Sequence, residues 1–196
     1  MEERNVYLIR HAESKSNQES VFGTDEPLSE RGEQQALQLR DTMKELDVAI
    51  VVSSDTRRAM QTAFIAFPDQ EMFFTDRRLR EINFGINEGK PVTDDIVQEL
   101  QADMAANYQK YKGDDMWQRA ADTIVLIRRY LKYLDGNIAF VGHDTLYECI
   151  IYLLEYGGNL TESKEMFTLW SDDRRMKHCQ VIEVPAVYFL TWGGLS

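Results

Sequence analysis

The chain has 196 residues, of which 43% are hydrophobic and 28% are charged, a balance that is ordinary for a globular protein. This length suits one well-buried domain better than two. A formal net charge of −11 argues against nucleic acid and against anionic membrane surfaces as partners. The two cysteines predict neither a zinc cluster nor a disulfide framework. No apolar run approaches the roughly 20 residues of a membrane span and residues 1–4 lack a signal-peptide layout, so we expect a protein of the reduced cytoplasm.

Short apolar runs alternate with amphipathic segments along the chain, a pattern typical of buried strands alternating with helices. The predicted elements up to residue 90 are a strand at 6–9, a loop at 15–27, a helix capped by Ser29, a strand at 48–52, a helix at 56–67 capped by Asp55, a strand at 72–74 and a loop at 77–90. The later ones are a loosely helical segment at 91–112, a helix at 114–134, a strand at 138–141, a helix at 146–156 and two antiparallel strands at 179–184 and 186–192.

This alternation predicts an α/β fold, a three-layer sandwich in which helices cover both faces of a mostly parallel central sheet. We expect one domain over residues 1–196, with 86–113 as a helical, lid-like insertion over the site. The helix at 114–134 is expected to bury a stripe that includes Trp117 and Val125. Among the remaining polar and sulfur side chains, His178 is expected at the surface and Cys149 in the core.

Basic and imidazole side chains follow the predicted strands at their carboxyl ends. Arg10 and His11 end the first strand, His143 ends another, and Arg57 and Arg58 open the helix after a third. If these strands are parallel neighbours, their ends meet at one edge of the sheet. A guanidinium binds phosphate oxygens in pairs, and a helix N-terminus attracts anions. The sequence therefore predicts a phosphoryl pocket, built from arginines in place of the carboxylate cluster of a metal site.

Several segments of the chain resemble, in order, the sequence blocks of the histidine phosphatase superfamily in its phosphoglycerate mutase-like branch. They are Leu-Ile-Arg-His-Ala-Glu-Ser at 8–14, Pro-Leu-Ser-Glu-Arg-Gly at 27–32, Ser-Ser-Asp-Thr-Arg-Arg-Ala-Met-Gln-Thr-Ala at 53–63, Leu-Arg-Glu-Ile-Asn-Phe-Gly at 79–85 and Val-Gly-His at 141–143. The resemblance implies that His11 attacks phosphorus and becomes a phosphohistidine. It also implies that Arg10, Arg58 and His143 hold the phosphate oxygens during transfer.

Two carboxylates are candidates for the proton donor. The resemblance to the mutase-like branch places the acid at Glu81, which would protonate the leaving oxygen and then activate water. Asp144 follows the second histidine, as in the acid phosphatase and phytase branch, where that residue is the donor. Because Asp144 opens a helix, we expect the pKa of its carboxyl group to be lowered. A lowered pKa suits a residue that caps the helix or binds a substrate hydroxyl better than one that donates a proton. The resemblance also implies that Asn17 and Thr24 bind the phosphate.

The resemblance implies a phosphomonoesterase that acts on a small phosphorylated metabolite without a metal or other cofactor. The alternatives are a phosphoglycerate mutase, a phosphoprotein phosphatase and a regulatory phosphate-binding module on the same fold. Mutases of this family resemble longer chains between the acid block and the second histidine, so the short excursion at 89–113 favours the phosphatase. The sequence indicates neither the natural ester nor the oligomeric state.

Overall fold

The computed structural model of the protein describes residues 4–105, 115–168 and 175–195. Its strands are β1 (Asn5–Arg10), β2 (Val48–Ser53), β3 (Phe73–Thr75), β4 (Asn137–Gly142) and β5 (Val181–Pro185). Its helices are α1 (Lys15–Gln18), α2 (Glu30–Met43), α3 (Arg57–Ala66), α4 (Asp94–Ala105), α5 (Met116–Tyr133), α6 (Asp144–Glu155), α7 (Leu160–Thr168) and α8 (Ala186–Thr191), with 3₁₀ turns at Arg77–Leu79 and Gly85–Asn87.

The strands form one sheet in the order β3-β2-β4-β1-β5. The pairs β3–β2, β2–β4 and β4–β1 are parallel, and β5 runs antiparallel to β1 at the edge. In this register Arg10 lies opposite Gly142 and Ser53 lies opposite Val141. The carboxyl ends of the three central strands are therefore level, and the segments that leave them lie side by side. The predicted α/β fold with a mostly parallel sheet is confirmed.

Helices cover the sheet on both faces, and successive residues of β1 show why. Val6 and Leu8 belong to the apolar cluster that contains α5 and α6. Tyr7 and Ile9 belong to the cluster on the opposite face, which contains side chains of α2 and α3. Because strand residues alternate in direction, a continuous apolar run is buried on both faces at once. Burial of each such large side chain stabilises the fold by about 1.5–3 kcal/mol.

Two glycines allow close approaches that hold the site together. A Cβ at Gly32 would lie 1.9 Å from the carbonyl oxygen of Glu13, so α2 packs against the segment after β1 only because no side chain intervenes. Ser29 fastens the same contact, since its Oγ accepts from the Gly32 amide over 3.0 Å and donates to Glu13 Oε1 over 2.8 Å. A Cβ at Gly142 would lie 2.6 Å from the Tyr147 hydroxyl.

One predicted element is wrong, one helix was not predicted and one residue differs from its predicted burial. The second C-terminal strand, at 186–192, is helix α8: Ala186, Phe189 and Trp192 are buried, and a spacing of three residues places them on one helical face. Helix α7 lies in a stretch for which no element was predicted. Val125 of α5 is 40% exposed because it lies on the outer side of the helix, away from the buried stripe that contains Trp117.

Two local predictions also change. Asp55 does not cap α3, whose N-cap is Thr56, because the Asp55 carboxylate accepts two hydrogen bonds from Arg80 instead. The loop at 15–27 contains the short helix α1, where Ser14 and Asn17 form a capping box. Of the predicted insertion, α4 is helical, while 106–113 lies outside the described residues, so the lid at 86–113 stays a prediction. Within the described part of the chain, no helix has the length and apolar character to cross a membrane.

Candidate active site

His11 follows β1 directly, and hydrogen bonds at both ring nitrogens fix its orientation. Nδ1 donates to the carbonyl oxygen of Ala12 over 2.6 Å, because a carbonyl can only accept. Nε2 therefore carries the lone pair and accepts from Arg58 Nε over 3.1 Å. Burial, and after it the charges of Arg58 and Arg10, hold the pKa of His11 well below its ordinary value of 6.5. The ring is neutral, with its lone pair on Nε2.

Arg58 lies in the first turn of α3 and joins three parts of the site. Its Nη1 donates to the carbonyl of Thr24 over 2.9 Å, and its Nη2 donates to Nδ1 of His143 over 3.3 Å. The side chain thus links the ends of β1 and β4, where the rings of His11 and His143 lie 4.9 Å apart. Thr62, one turn further along α3, accepts from the Ala12 amide over 2.9 Å and so holds α3 against the residue after His11.

His143 follows β4 as the N-cap residue of α6, and it is fully buried. Because Nδ1 accepts from Arg58, the neutral ring carries its proton on Nε2, which lies 3.1 Å from Ser54 Oγ and 3.2 Å from Thr56 Oγ1. Burial, followed by the charge of Arg58, holds the pKa of His143 well below its ordinary value. Sequence reasoning missed Ser54 and Thr56, although two hydroxyls directly after a buried strand were a visible signal.

Arg10 and Asp144 form an ion pair at the rear of the site, with Arg10 Nη1 3.1 Å from Asp144 Oδ2. The same Nη1 donates to the carbonyl of Met176, whose amide donates to Asp144 Oδ1 over 2.9 Å. The predicted lowering of the Asp144 pKa at the start of α6 is wrong. Burial raises the pKa of Asp144, and the charge of Arg10 opposes that rise only in part.

Glu81 lies in the loop between β3 and α4, and its carboxylate reaches into the cleft. Oε1 accepts from the Ile82 amide over 3.0 Å and Oε2 accepts from the Thr145 amide over 3.3 Å. Burial raises the pKa of Glu81, and the negative charge of Asp144 adds to the rise. The carboxyl group is therefore suited to hold a proton at a pH where an exposed carboxylate has lost it.

A cleft opens on both sides of Arg58 and Glu81. One side is polar and is lined by Asp25, Thr56, Arg80, Asn83, Glu88 and Arg119. The other contains the predicted site residues Arg10, His11, Asn17, Thr24 and Asp144, together with Arg175 and an apolar wall of Val21, Phe22, Phe84, Val92 and Val97. The predicted site residues are thus gathered at the strand ends, with His143 behind Arg58. Within the described residues, no group of three His, Cys, Asp or Glu side chains is arranged to hold a metal ion.

The apolar wall is attached to the body of the protein by a short backbone ribbon. Residues 20–22 pair with residues 89–92: the Phe22 amide donates to the Lys90 carbonyl over 3.0 Å, and the Val92 amide donates to the Ser20 carbonyl over 2.7 Å. The rings of Phe22 and Phe84 lie 4.9 Å apart beneath this ribbon. Phe84 and Val92 therefore border the cleft.

His178 is not the surface residue that the sequence predicts. The ring is half-buried and lies 5.9 Å from the ring of His11, and its Nε2 is buried without a hydrogen-bond partner. Burial, followed by the charges of Arg10 and Arg31, lowers the pKa of His178 to about 4. The next residue, Cys179, has a positive φ of 59°, and this turn directs the chain back under the site. Cys149 is buried, as predicted.

Comparison with known proteins agrees with this geometry. The sequence model of the histidine phosphatase superfamily (branch 1) matches residues 6–167. The chain belongs to this superfamily. Relatives in the superfamily include the probable phosphoglycerate mutase GpmB of Escherichia coli O1:K1 / APEC and that of Shigella boydii serotype 18, each 40% identical over 97 residues. Those alignments cover 48% of this chain and 45% of each relative, so the match spans about half the length of the curated relatives.

Several solved structures share the fold. A mycobacterial glucosyl-3-phosphoglycerate phosphatase superposes with a TM-score of 0.76 at 21% identity, over 92% of both chains. Bacillus stearothermophilus YhfR gives 0.73 at 24% identity, over 92% of this chain and 90% of its own. A phosphoserine phosphatase from Entamoeba histolytica gives 0.70 at 21% identity, over 92% and 89%. At such identities the likeness shows the fold alone.

Proposed function

We propose that this protein is a phosphomonoesterase that works without a metal ion and forms a phosphohistidine on Nε2 of His11. The observation that carries the proposal is the 2.6 Å contact between His11 Nδ1 and the Ala12 carbonyl oxygen, which assigns the tautomer of the ring. The Ala12 carbonyl holds the proton on Nδ1, and the lowered pKa keeps Nε2 unprotonated at neutral pH. In the proposed reaction, the Nε2 lone pair attacks phosphorus in line, the P–N bond forms, and the P–O bond to the alcohol breaks.

The positive charge that this transfer needs comes from arginines. Arg58 lies within hydrogen-bond distance of the nucleophile, and Arg10 precedes it at the end of β1. A phosphate that enters between His11 and Arg58 would take over the hydrogen bond that now joins them. Because both guanidiniums are held by carbonyl groups and neighbouring side chains, they stabilise developing charge with little rearrangement.

We assign the proton donor to Glu81. The pKa values of Glu81 and Asp144 are both raised, so geometry has to separate the two carboxylates. Asp144 is paired with Arg10 and accepts from the Met176 amide, and both contacts favour its anion. Glu81 accepts from two backbone amides but forms no ion pair within the described residues, and it borders both sides of the cleft beside Arg58. It would protonate the leaving oxygen and then take a proton from the water that cleaves the phosphohistidine.

The acid assignment is tested with good and poor leaving groups. Glu81→Gln should slow hydrolysis of an alkyl phosphate by about 10²–10⁴-fold and affect p-nitrophenyl phosphate much less, since that leaving group needs little protonation. Asp144→Asn serves as the matched control and should slow both substrates alike. The opposite pattern in the two variants would move the donor to Asp144.

The nucleophile is tested by trapping the intermediate. Brief incubation with substrate, a denaturing quench at alkaline pH and peptide mapping should place phosphate on His11 among the three histidines of the chain. His11→Gln should remove the label, whereas His178→Gln should retain it. Label on another residue, or a His11→Gln variant that keeps most of its activity, would contradict the mechanism.

We further propose that the substrate is a small phosphorylated metabolite and that the chain forms a single domain around it. In this proposal, segment 84–105 borders the part of the cleft that receives the alcohol group of the ester. The names of the glucosyl-3-phosphoglycerate and phosphoserine phosphatases that share the fold support this substrate class. A panel of phosphorylated metabolites would identify the ester. If hydrolysis were confined to phosphoproteins, the proposed class would be wrong.

A phosphoglycerate mutase is the second candidate, because the curated relatives carry that name. A mutase has to keep water from the phosphohistidine until a second acceptor arrives. We expect phosphate release from p-nitrophenyl phosphate and little interconversion of 3- and 2-phosphoglycerate. Rapid interconversion primed by bisphosphoglycerate, with negligible release of phosphate, would favour the mutase.

A further inference from the structure

The segment that carries Glu81, residues 76–82, has little regular structure of its own. Its one 3₁₀ turn ends at Leu79, before the glutamate. From here on residues 76–82 are called the acid segment. A carboxyl group that donates a proton has to lie within hydrogen-bond reach of the leaving oxygen, so whatever fixes the backbone of the acid segment controls that step.

Helix α5 fixes this backbone with two side chains. Arg119 Nη1 donates to the carbonyl of Arg80 over 3.1 Å and to the carbonyl of Glu81 itself over 2.9 Å. Thr123 Oγ1 lies 3.3 Å from the carbonyl of Arg78 and 2.9 Å from that of Arg119. Residues four apart lie on one face of a helix, so Arg119 and Thr123 adjoin each other against the acid segment. Thr123 shares its single hydroxyl proton between the two carbonyls and is the weaker donor of the two.

The other contacts of the acid segment with described residues do not involve the carbonyls of Arg80 and Glu81. The Asp76 amide donates to the Ser53 carbonyl over 2.9 Å, and the Arg80 amide donates to the Arg77 carbonyl over 3.1 Å. Arg80 pairs with Asp55 at 2.6 Å, and Arg78 pairs with Asp76 at 2.6 Å. Both pairs are bidentate, and they hold the arginine side chains rather than the backbone carbonyls of Arg80 and Glu81. Arg119 is only partly exposed and borders the polar side of the cleft.

We infer that Arg119 is a positioning residue that holds the carboxyl group of Glu81 at the leaving-group oxygen. This inference rests on the proposed role of Glu81. Arg119 donates to the backbone carbonyl of Glu81 over 2.9 Å, so it acts on where the acid segment holds the carboxyl group. Loss of Arg119 should therefore slow proton delivery to the leaving group and leave attack by His11 intact.

The test compares Arg119→Met with Arg129→Met, since Arg129 is exposed on the same helix and borders a different surface cavity. The substrates are p-nitrophenyl phosphate and glycerol 2-phosphate, whose alcohol carries no second charge. In Arg119→Met, kcat for glycerol 2-phosphate should fall by about 10–100-fold at little-changed KM, because a displacement near 1 Å has an effect of that size. The p-nitrophenyl phosphate rate should fall by less than about 3-fold. Arg129→Met should match the wild type on both.

Thr123→Val, a smaller change at the adjoining donor, should shift the ratio of the two rates in the same direction by about 2–10-fold. Equal losses on both substrates, an effect confined to KM, or no loss in Arg119→Met would each overturn the inference. Glu81→Gln, assayed in the same experiment, distinguishes a failure of the positioning role of Arg119 from a failure of the acid role of Glu81. If Glu81→Gln shows the leaving-group dependence and Arg119→Met does not, the positioning role alone is wrong. If Glu81→Gln lacks it, the acid assignment fails and the inference falls with it.

Discussion

His178 should make the folded protein less stable in acid. Its pKa is lowered from 6.5 to about 4 by burial first and then by the charges of Arg10 and Arg31. Between these two pH values the unfolded chain binds a proton at this ring and the folded chain does not. The contribution to stability is therefore complete above pH 6.5 and is lost as the pH falls toward 4.

The size of this effect follows from the proton count. One proton bound only by the unfolded chain gives a slope of at most about 1.4 kcal/mol per pH unit in the free energy of unfolding. Between pH 6.5 and 4.5 the slope integrates to about 2 kcal/mol, and solvent screening of the half-buried ring reduces this toward about 1 kcal/mol. The lowered pKa values of His11 and His143 change stability in the same direction. The contribution of His178 is therefore isolated only as the difference between the wild type and a variant that lacks this ring.

The assay is urea unfolding of the wild type, His178→Gln and Lys177→Gln at pH 4.5, 5.5 and 6.5. The neutral glutamine should make the stability of His178→Gln fall by about 1–2 kcal/mol less than that of the wild type across this range. Lys177→Gln, an exposed neighbour, should parallel the wild type. If the His178→Gln and wild-type profiles are parallel within about 0.3 kcal/mol, the ring is accessible to protons in the folded protein and the reasoning is refuted.

Hydrolysis of p-nitrophenyl phosphate should survive an excess of chelator, because arginines supply the charge, and strict dependence on an added divalent ion would contradict this. Arg58→Lys should lower kcat/KM by about 10²–10³-fold, since an ammonium cannot reproduce the guanidinium contacts, while Arg57→Lys on the exposed side should retain activity within about 2-fold. Equal losses in the two lysine variants would count against the special position of Arg58. Gly142→Ala should lower the free energy of unfolding by about 1–3 kcal/mol, because its Cβ meets the Tyr147 hydroxyl at 2.6 Å. Gly193→Ala, with open space around it, is the control, and equal stability of the two alanine variants in urea would refute the packing argument.

The elements that carry the site could be predicted because each has a strong local signal. The apolar runs of β1 and β4 stop abruptly at Arg10, His11 and His143, and a continuous apolar run is typical of a strand buried on both faces. Parallel order then brings Arg58 to the same edge, although it is 47 residues from His11 along the chain. Local sequence predicted these positions because they are set by strand ends.

Properties set by contacts between distant segments could not be predicted. At Asp144 the helix N-terminus was expected to dominate, but an effect of about 0.3–1 kcal/mol is smaller than the cost of burying a carboxylate. His178 follows a lysine, as a surface residue would, yet the turn at Cys179 directs it toward His11. Helix α8 contains a short apolar run, and periodicity alone does not separate a strand from a helix over so few residues.

The ribbon between residues 20–22 and 89–92 bears on how the alcohol specificity of such an enzyme can diverge. Its hydrogen bonds are made by backbone amides and carbonyls. A substitution by any residue other than proline therefore keeps the groups that form them. Val92 and Val97 on the apolar wall can therefore be exchanged while the ribbon stays paired, whereas His11 and Arg58 are tied to each other. An exchange of residues 84–97 between members of the superfamily would therefore leave the hydrogen bond between His11 and Arg58 in place.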